Sequence, residues 1–295
     1  MVICVWNTSH LLKRSVETYL QQDFPYNFWE LIVVNDNSFD NVRETIQPLF
    51  GEINIRYIEL KHDYGMRGNT VAFNTGYAWA NGEILMESTP EIMLPDDCIT
   101  KLYAPHLKNK RCFVAMKTYN LTPELQLEID SVDWKSDLGN VMKLPNFFND
   151  WTLNNYKNCR FGTHQLSSIH KNTFYELMPN GFPLFADYGS DDPYFCNKRE
   201  TNNVNDITIM QPLAIHQWHP PYAYWQAMGY SKNTNKFGHT TINFMEDSSG
   251  QVPSLGTRFI WDGGNDEWFS EDEITNLRKL DNYVIGSGCK VEQKK

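Results

Sequence analysis

The chain has 295 residues, of which 41 % are hydrophobic and 21 % charged, with a formal net charge of −10. This composition is typical of a folded globular protein, and the length allows one large α/β domain or two small ones. The acidic balance argues against a general nucleic-acid binder, which needs a basic face, but it allows a nucleotide ligand whose phosphates are neutralised locally.

The sequence predicts a cytoplasmic protein without a transmembrane segment. No apolar run approaches the length of a membrane span, and the N-terminal run Val2–Trp6 lacks the basic flank of a secretory signal. The six cysteines include no CxxC pair, which favours reduced thiols over a disulfide scaffold or a zinc site.

The first hundred residues alternate between strand and helix patterns. Strands are predicted at Val2–Trp6, Leu31–Val34, Ile53–Leu60 and Ile84–Met86, and helices at Leu11–Gln22, after Asp40 and at Asn69–Ala80. This order predicts an α/β fold with a mostly parallel, doubly wound sheet. In such sheets ligands bind beyond the carboxyl ends of the strands.

The second half is less regular. A strand is predicted at Cys112–Lys117, an irregular stretch at Leu121–Tyr156, a Pro, His and aromatic cluster at Pro212–Trp225, and a short helix capped by Ser270 at Glu271–Leu280. We interpret residues 1–225 as one domain with a nucleotide half, 1–105, and an acceptor half, 106–225. Residues 226–295 are then a C-terminal extension.

Asp36 stands just past the apolar run that contains Val33 and Val34. Two interpretations are possible: Asp36 or Ser38 caps the next helix, or the Asp36 carboxylate accepts hydrogen bonds from a nucleobase or ribose. The residues themselves leave both interpretations open.

The order of the motifs resembles family-2 glycosyltransferases of the GT-A fold. The strand that ends in Asn35-Asp36-Asn37-Ser38 is similar to their Asp-Asp-x-Ser motif, with Asn35 where the family often has Asp. The helix containing Ala72-Phe73-Asn74-Thr75-Gly76 and the turn Ala80-Asn81-Gly82-Glu83 match the family's next two motifs. The resemblance implies that Asp36 contacts the base and that Trp6, Asn7 and Thr8 line the nucleotide pocket. Arg67 lies where the family often has a basic residue near the nucleotide, although a solvated loop arginine is an equal alternative.

The family's metal motif, Asp-x-Asp, falls on Thr89-Pro90-Glu91, so only one carboxylate remains there. The resemblance implies that Glu91 and a late histidine, His216, hold a divalent cation, with His219 in reserve. Carboxylate with imidazole favours Mn²⁺, with Mg²⁺ as the alternative. The ion's role is to neutralise the charge that develops on a diphosphate leaving group.

Asp191-Asp192-Pro193 resembles the family's Glu-Asp segment. The resemblance implies that Asp192 is the general base and that Asp191 orients the acceptor. The alternative is a pair of helix-start acids favoured by the helix dipole, with Pro in the first turn. The two readings are compatible.

The sequence therefore predicts a metal-dependent glycosyltransferase that moves a sugar from a nucleotide-sugar donor, UDP-sugar favoured, to a glycan or other hydroxyl acceptor, with inversion by resemblance. An inactive nucleotide-sugar- or carbohydrate-binding protein is the alternative, suggested by Thr89. A dehydrogenase-type dinucleotide fold is disfavoured, because Trp6-Asn7-Thr8-Ser9-His10 stands where GxGxxG would follow the first strand.

Overall fold

A computed structural model describes residues 1–62, 69–145, 147, 165–182, 191–220, 240–247, 257–260 and 290–293. For residues 62, 191–193 and 212, and from 240 onward, it describes the backbone alone.

Eleven strands and seven α-helices occur in the described part of the chain. The strands are β1 (Val2–Val5), β2 (Leu31–Asp36), β3 (Ile55–His62), β4 (Ile84–Ser88), β5 (Ile92–Met93), β6 (Cys112–Asn120), β7 (Leu166–His170), β8 (Asn205–His216), β9 (Thr240–Asp247), β10 (Thr257–Ile260) and β11 (Lys290–Gln293). The helices are α1 (Ser9–Tyr19), α2 (Val42–Ile46), α3 (Thr70–Trp79), α4 (Cys98–Lys108), α5 (Pro123–Glu128), α6 (Lys171–Leu177) and α7 (Asp191–Thr201).

Nine strands form one sheet in the order β5-β8-β6-β7-β4-β1-β2-β3-β9, and β10 pairs with β11. The predicted α/β class is confirmed. The expectation of a mostly parallel sheet holds for β4, β1, β2 and β3, which pair in parallel. β6 and β8 also pair in parallel, whereas β5–β8, β6–β7, β4–β7 and β3–β9 pair antiparallel, so the described sheet is mixed rather than mostly parallel.

Helices cover both faces of the sheet. Side chains of α1, α2 and α4, such as Val16, Ile46 and Leu102, pack with one face of the sheet. Those of α3, α6 and α7, such as Phe73 and Phe174, pack with the other. All six residues of β2 are buried, as its continuous apolar run predicts for a strand covered on both faces.

The Asn74 and Gly76 positions of α3 have structural roles. A Cβ at Gly76 would lie 2.3 Å from Val2 Cγ1, so only glycine lets α3 lie this close to β1. Asn74 accepts a hydrogen bond from the Phe182 N–H at 2.7 Å and donates one to the Phe182 carbonyl at 2.8 Å. This motif therefore fixes α3 against the sheet and against the segment that follows α6.

The stretch after β6 is more ordered than its pattern suggests. Residues 123–143 form α5 and two 3₁₀ turns, whose apolar side chains make a third cluster with β5 and β8. Trp134 and Phe147 are buried in that cluster. The helix predicted at Glu271–Leu280 lies outside the described residues. Within the described part, no helix is long and apolar enough to cross a membrane.

Candidate functional site

The pairing of β5 with β8 brings together residues that are far apart in the sequence. Ile92 pairs with His216 and Met93 with Ile215 in antiparallel register. Glu91 lies in the turn that leads from β4 into β5, and the Gln217 N–H donates to the Glu91 carbonyl at 3.0 Å. The end of β8 is therefore fixed beside the turn that carries Glu91.

Glu91, His216 and His219 form a cluster whose ligand atoms all lie within 4.8 Å of one another. Glu91 Oε1 is 3.6 Å from His216 Nε2 and 3.7 Å from His219 Nε2. Ligand atoms about 2.1 Å from a shared cation are roughly 3.0 to 3.5 Å apart, so small side-chain shifts would close the set around a metal ion. The predicted pair Glu91 and His216 meet, and the reserve residue His219 joins them.

The Glu91 side chain is only 12 % exposed and faces two imidazoles. Burial alone would raise its pKa. The hydrogen bond and charge of His216, the charge of His219 and a backbone hydrogen bond outweigh burial and hold the pKa of Glu91 below its usual value.

Gln217 joins this cluster to α1. Its side chain is fully buried, and Nε2 donates to the Leu11 carbonyl at 2.9 Å and contacts the Glu91 carbonyl at 3.3 Å. Arg14 of α1 donates to Gln217 Oε1 at 3.4 Å. α1 begins directly after Trp6-Asn7-Thr8. The hydrogen bonds of Gln217 to α1 therefore fix the position of the cluster relative to the predicted nucleotide loop.

The loops after β1 and β2 are bonded to each other. The Asn7 N–H donates to Ser38 Oγ at 3.0 Å, and Asn7 Oδ1 accepts from the Phe39 N–H at 2.9 Å. Asn7 has a φ of 53°, in the left-handed region that Asn tolerates. Asp40 does not cap its own helix: its Oδ2 accepts the Ser9 N–H at the start of α1, at 2.8 Å. The segment Trp6–Thr8 therefore lies beside the loop that follows Asp36.

The pairing of β2 with β3 explains why Asn35 stands where a carboxylate is usual. Asn35 is opposite Glu59, so an aspartate there would face a like charge. Asn35 Nδ2 instead donates to Tyr57 Oη at 2.8 Å, and Tyr57 donates to Glu59 at 3.1 Å. Asn35 Oδ1 also accepts the Ser38 N–H at 2.9 Å, which fixes the loop beside Asp36.

The sequence model of the family described as "Glycosyl transferase family 2" matches residues 1–152, just over half of the chain. The chain belongs to glycosyl transferase family 2. This confirms the family that the strand-end and helix motifs resemble. No curated protein sequence matches the chain.

Solved structures of low identity share the fold of this family-2 chain. One is S. aureus TarS, residues 1–349, in complex with UDP-GlcNAc, with a TM-score of 0.54, 15 % identity, and coverage of 75 % of this chain and 58 % of TarS 1–349. Another is the mannosyltransferase PcManGT from Pyrobaculum calidifontis in complex with GDP-Man and Mn²⁺, with a TM-score of 0.52, 18 % identity, and coverage of 77 % and 58 %. The chain thus spans less than two thirds of either structure.

The structure describes some of the other predicted site residues of the family-2 chain and not others. Asp36 is buried, 5 % exposed, at the end of β2. Asp191 and Asp192 are the first residues of α7, as a helix-start reading requires, but their side chains lie outside the description. Arg67 lies outside the described residues. The base and nucleotide assignments therefore stay predictions.

Glu87, the second acid near the metal motif, is separate from the metal cluster. It is 2 % exposed and accepts a hydrogen bond from Tyr77 Oη of α3. Burial, followed by the Glu87 charge, raises the pKa of Tyr77 well above its usual value, so that phenol stays a donor. Glu87 is thus part of the contact between α3 and the sheet.

Sequence reasoning missed two residues around the cluster. Gln217 follows His216 directly, and no local pattern shows that its amide reaches α1. His10 is exposed but close enough to Asp40 and His219 for their charges to act on it. Burial, opposed by Asp40 and assisted by Arg14 and His219, lowers the pKa of His10.

Proposed function

We propose that the protein is a metal-dependent glycosyltransferase that transfers a sugar from a nucleotide-sugar donor, UDP-sugar favoured, to a hydroxyl of a glycan or other acceptor. The observation that carries the proposal is the cluster of Glu91, His216 and His219 at the junction of β5 and β8 in a family-2 chain. Structures of the same fold with UDP-GlcNAc, and with GDP-Man and Mn²⁺, support it.

In this proposal the nucleotide half binds the donor. Asp36 accepts hydrogen bonds from the base, the segment Trp6–Thr8 lines the pocket, and Arg67 adds positive charge near the nucleotide. Glu91 and His216 hold a divalent cation, Mn²⁺ favoured and Mg²⁺ the alternative. When bound, such an ion neutralises the negative charge that develops on the diphosphate leaving group.

The acceptor half carries out the proton transfer. Asp192 takes the proton of the acceptor hydroxyl while that oxygen attacks the anomeric carbon, and Asp191 orients the hydroxyl. The bond from the anomeric carbon to the diphosphate oxygen breaks, and the diphosphate keeps the electron pair. Attack from the face opposite the leaving group gives inversion. A carboxylate suits this role because a sugar hydroxyl is a poor nucleophile until its proton is removed.

A screen of UDP- and GDP-sugars by thermal unfolding, with and without Mn²⁺, tests the proposal, because a ligand that binds only the folded state raises the unfolding midpoint. We expect a UDP-sugar to give the largest rise in the presence of Mn²⁺, and nucleoside diphosphate to be released on incubation. A rise without any release, across a range of sugar acceptors, would instead identify a nucleotide-sugar-binding protein. No rise with any nucleotide sugar would contradict the proposal.

A further inference from the structure

The histidine at 219 is oriented as a metal ligand. Its Nδ1 lies 3.0 Å from the Pro220 carbonyl oxygen, which can only accept a hydrogen bond, so Nδ1 carries the proton. In the neutral ring Nε2 therefore presents its lone pair, and Nε2 is the atom 3.7 Å from Glu91 Oε1. Metal-binding histidines are commonly held this way, with the other ring nitrogen donating to a backbone carbonyl.

The two histidines of the cluster approach the same oxygen of Glu91. His219 Nε2 lies 3.7 Å from Glu91 Oε1. His216 adds a second imidazole, with Nε2 3.6 Å from the same Glu91 oxygen. A cation shared by the three side chains would satisfy all three acceptors.

The turn before β5 lacks the acid that the metal motif usually supplies. Thr89 takes that place, and its hydroxyl is buried without a hydrogen-bond partner among the described residues. The cluster thus offers two nitrogen donors and one carboxylate. Mg²⁺ strongly prefers oxygen ligands, whereas imidazole suits first-row transition metals.

We propose that His219 replaces the missing carboxylate of position 89 as a third ligand, so that Glu91, His216 and His219 form a transition-metal site that discriminates against Mg²⁺. The inference rests on the proposed metal-dependent transfer, which it deepens by naming the class of ion. At such a site affinity falls in the order Co²⁺, Mn²⁺, Mg²⁺.

Calorimetry on metal-free protein without nucleotide or sugar tests this, with Co²⁺, Mn²⁺ and Mg²⁺ as titrants. We expect Co²⁺ to bind with a visible absorption spectrum that shows nitrogen ligation, and Mg²⁺ to bind far more weakly than either transition metal. Loss of groups that merely support a ligand costs about 10- to 100-fold in metal affinity, so His219→Ala should lower Co²⁺ affinity by at least about tenfold. It should also change the Co²⁺ spectrum.

Two further variants separate ligation from a general disturbance. His219→Asp exchanges an imidazole for a carboxylate, so it should keep metal binding and raise the affinity for Mg²⁺ relative to Co²⁺. Glu176→Ala removes an exposed carboxylate of α6 that is not in the cluster and should leave both affinities unchanged. Thermal unfolding of the metal-free variants checks that each is folded; His219 is 29 % exposed, so its replacement should be tolerated.

Equal affinity for Mg²⁺ and Co²⁺ in the parent protein, or unchanged Co²⁺ binding in His219→Ala, would overturn the inference. These results are independent of turnover. Selective metal binding by a protein that never cleaves a donor sugar would count against the proposed function alone. Turnover that Mg²⁺ supports as well as Mn²⁺ does, and that His219→Ala leaves unchanged, would count against the inference alone.

Discussion

The two sides of the sheet differ in how their strands pair. Strands β4, β1, β2 and β3 pair in parallel, so their carboxyl ends, with the loops at Trp6–Thr8 and Asp36, lie along one edge. Beyond β4 the sheet gains antiparallel pairs, and one of them, β5–β8, places His216 beside Glu91. The parallel run β4-β1-β2-β3 thus collects loops from the first hundred residues, whereas the β5–β8 pair joins segments more than a hundred positions apart. In our account the first side binds the donor, the second activates the acceptor, and the metal cluster of the second side is joined to α1 of the first through Gln217.

The largest effect we expect from a single substitution is in the acceptor half. Asp192→Asn keeps the shape of the side chain but cannot take a proton. General-base catalysis is typically worth about 10²- to 10⁴-fold, so kcat should fall by that factor while donor affinity stays nearly unchanged. Steady-state kinetics together with donor calorimetry measures both.

Asp191→Asn is the matched control. It should raise the acceptor KM more than it lowers kcat, because the role proposed for Asp191 is to orient the acceptor. Near-normal turnover in Asp192→Asn together with an inactive Asp191→Asn would show that Asp191, not Asp192, is the general base. If neither substitution matters, the pair is only a helix start, and the contrast between a binding half and a catalytic half is wrong.

Two arginine–carboxylate pairs on the acceptor side should differ in how much they contribute to the free energy of unfolding. The Arg199 side chain of α7 is fully buried, pairs with both oxygens of Asp206 at 3.1 Å, and lies 3.8 Å over the Phe113 ring. Asp206→Ala leaves this charge buried without its partner. Such losses cost about 3 to 5 kcal/mol when both groups are buried, and because the Asp206 side chain is 42 % exposed we expect a smaller loss, about 2 kcal/mol, by urea unfolding.

The exposed pair of Arg111 and Glu176 provides the comparison. Its charges are screened by water, so Glu176→Ala should leave the urea midpoint unchanged within error. Equal effects of the two substitutions would show that burial of Arg199 does not anchor α7, the helix on which Asp191 and Asp192 lie.

The sequence predicts the parallel side of the sheet well because its signals are local. The continuous apolar run at Leu31–Val34 marks a strand buried on both faces, and the structure has all of β2 buried. The pairing of β5 with β8 has no local signal, since it joins residues more than a hundred positions apart along the chain. The same limit applies to Glu87, whose contact with Tyr77 of α3 has no local signal in the sequence.

The smallest of these effects should arise in the nucleotide half. A hydrogen bond to a charged group is worth about 1.5 to 3 kcal/mol, so Asp36→Ala should weaken nucleoside diphosphate binding by roughly 10- to 100-fold. In the proposed site Asp36 contacts the base and not the reacting atoms, so kcat at saturating donor should change little. The exposed Asp133 offers a control of equal charge: Asp133→Ala should bind as the parent does. If Asp36→Ala binds nucleoside diphosphate as tightly as the parent protein in calorimetry, Asp36 does not contact the nucleotide.

The metal dependence of donor cleavage tests the central claim most directly. Nucleoside diphosphate release should be measured for metal-free protein, again after addition of Mn²⁺, and in the variants Glu91→Gln and His216→Ala. Our account predicts negligible release without metal, recovery with Mn²⁺ in the parent protein, and little recovery in either variant. Full release in excess chelator, or parent-like Mn²⁺ dependence in both variants, would contradict it.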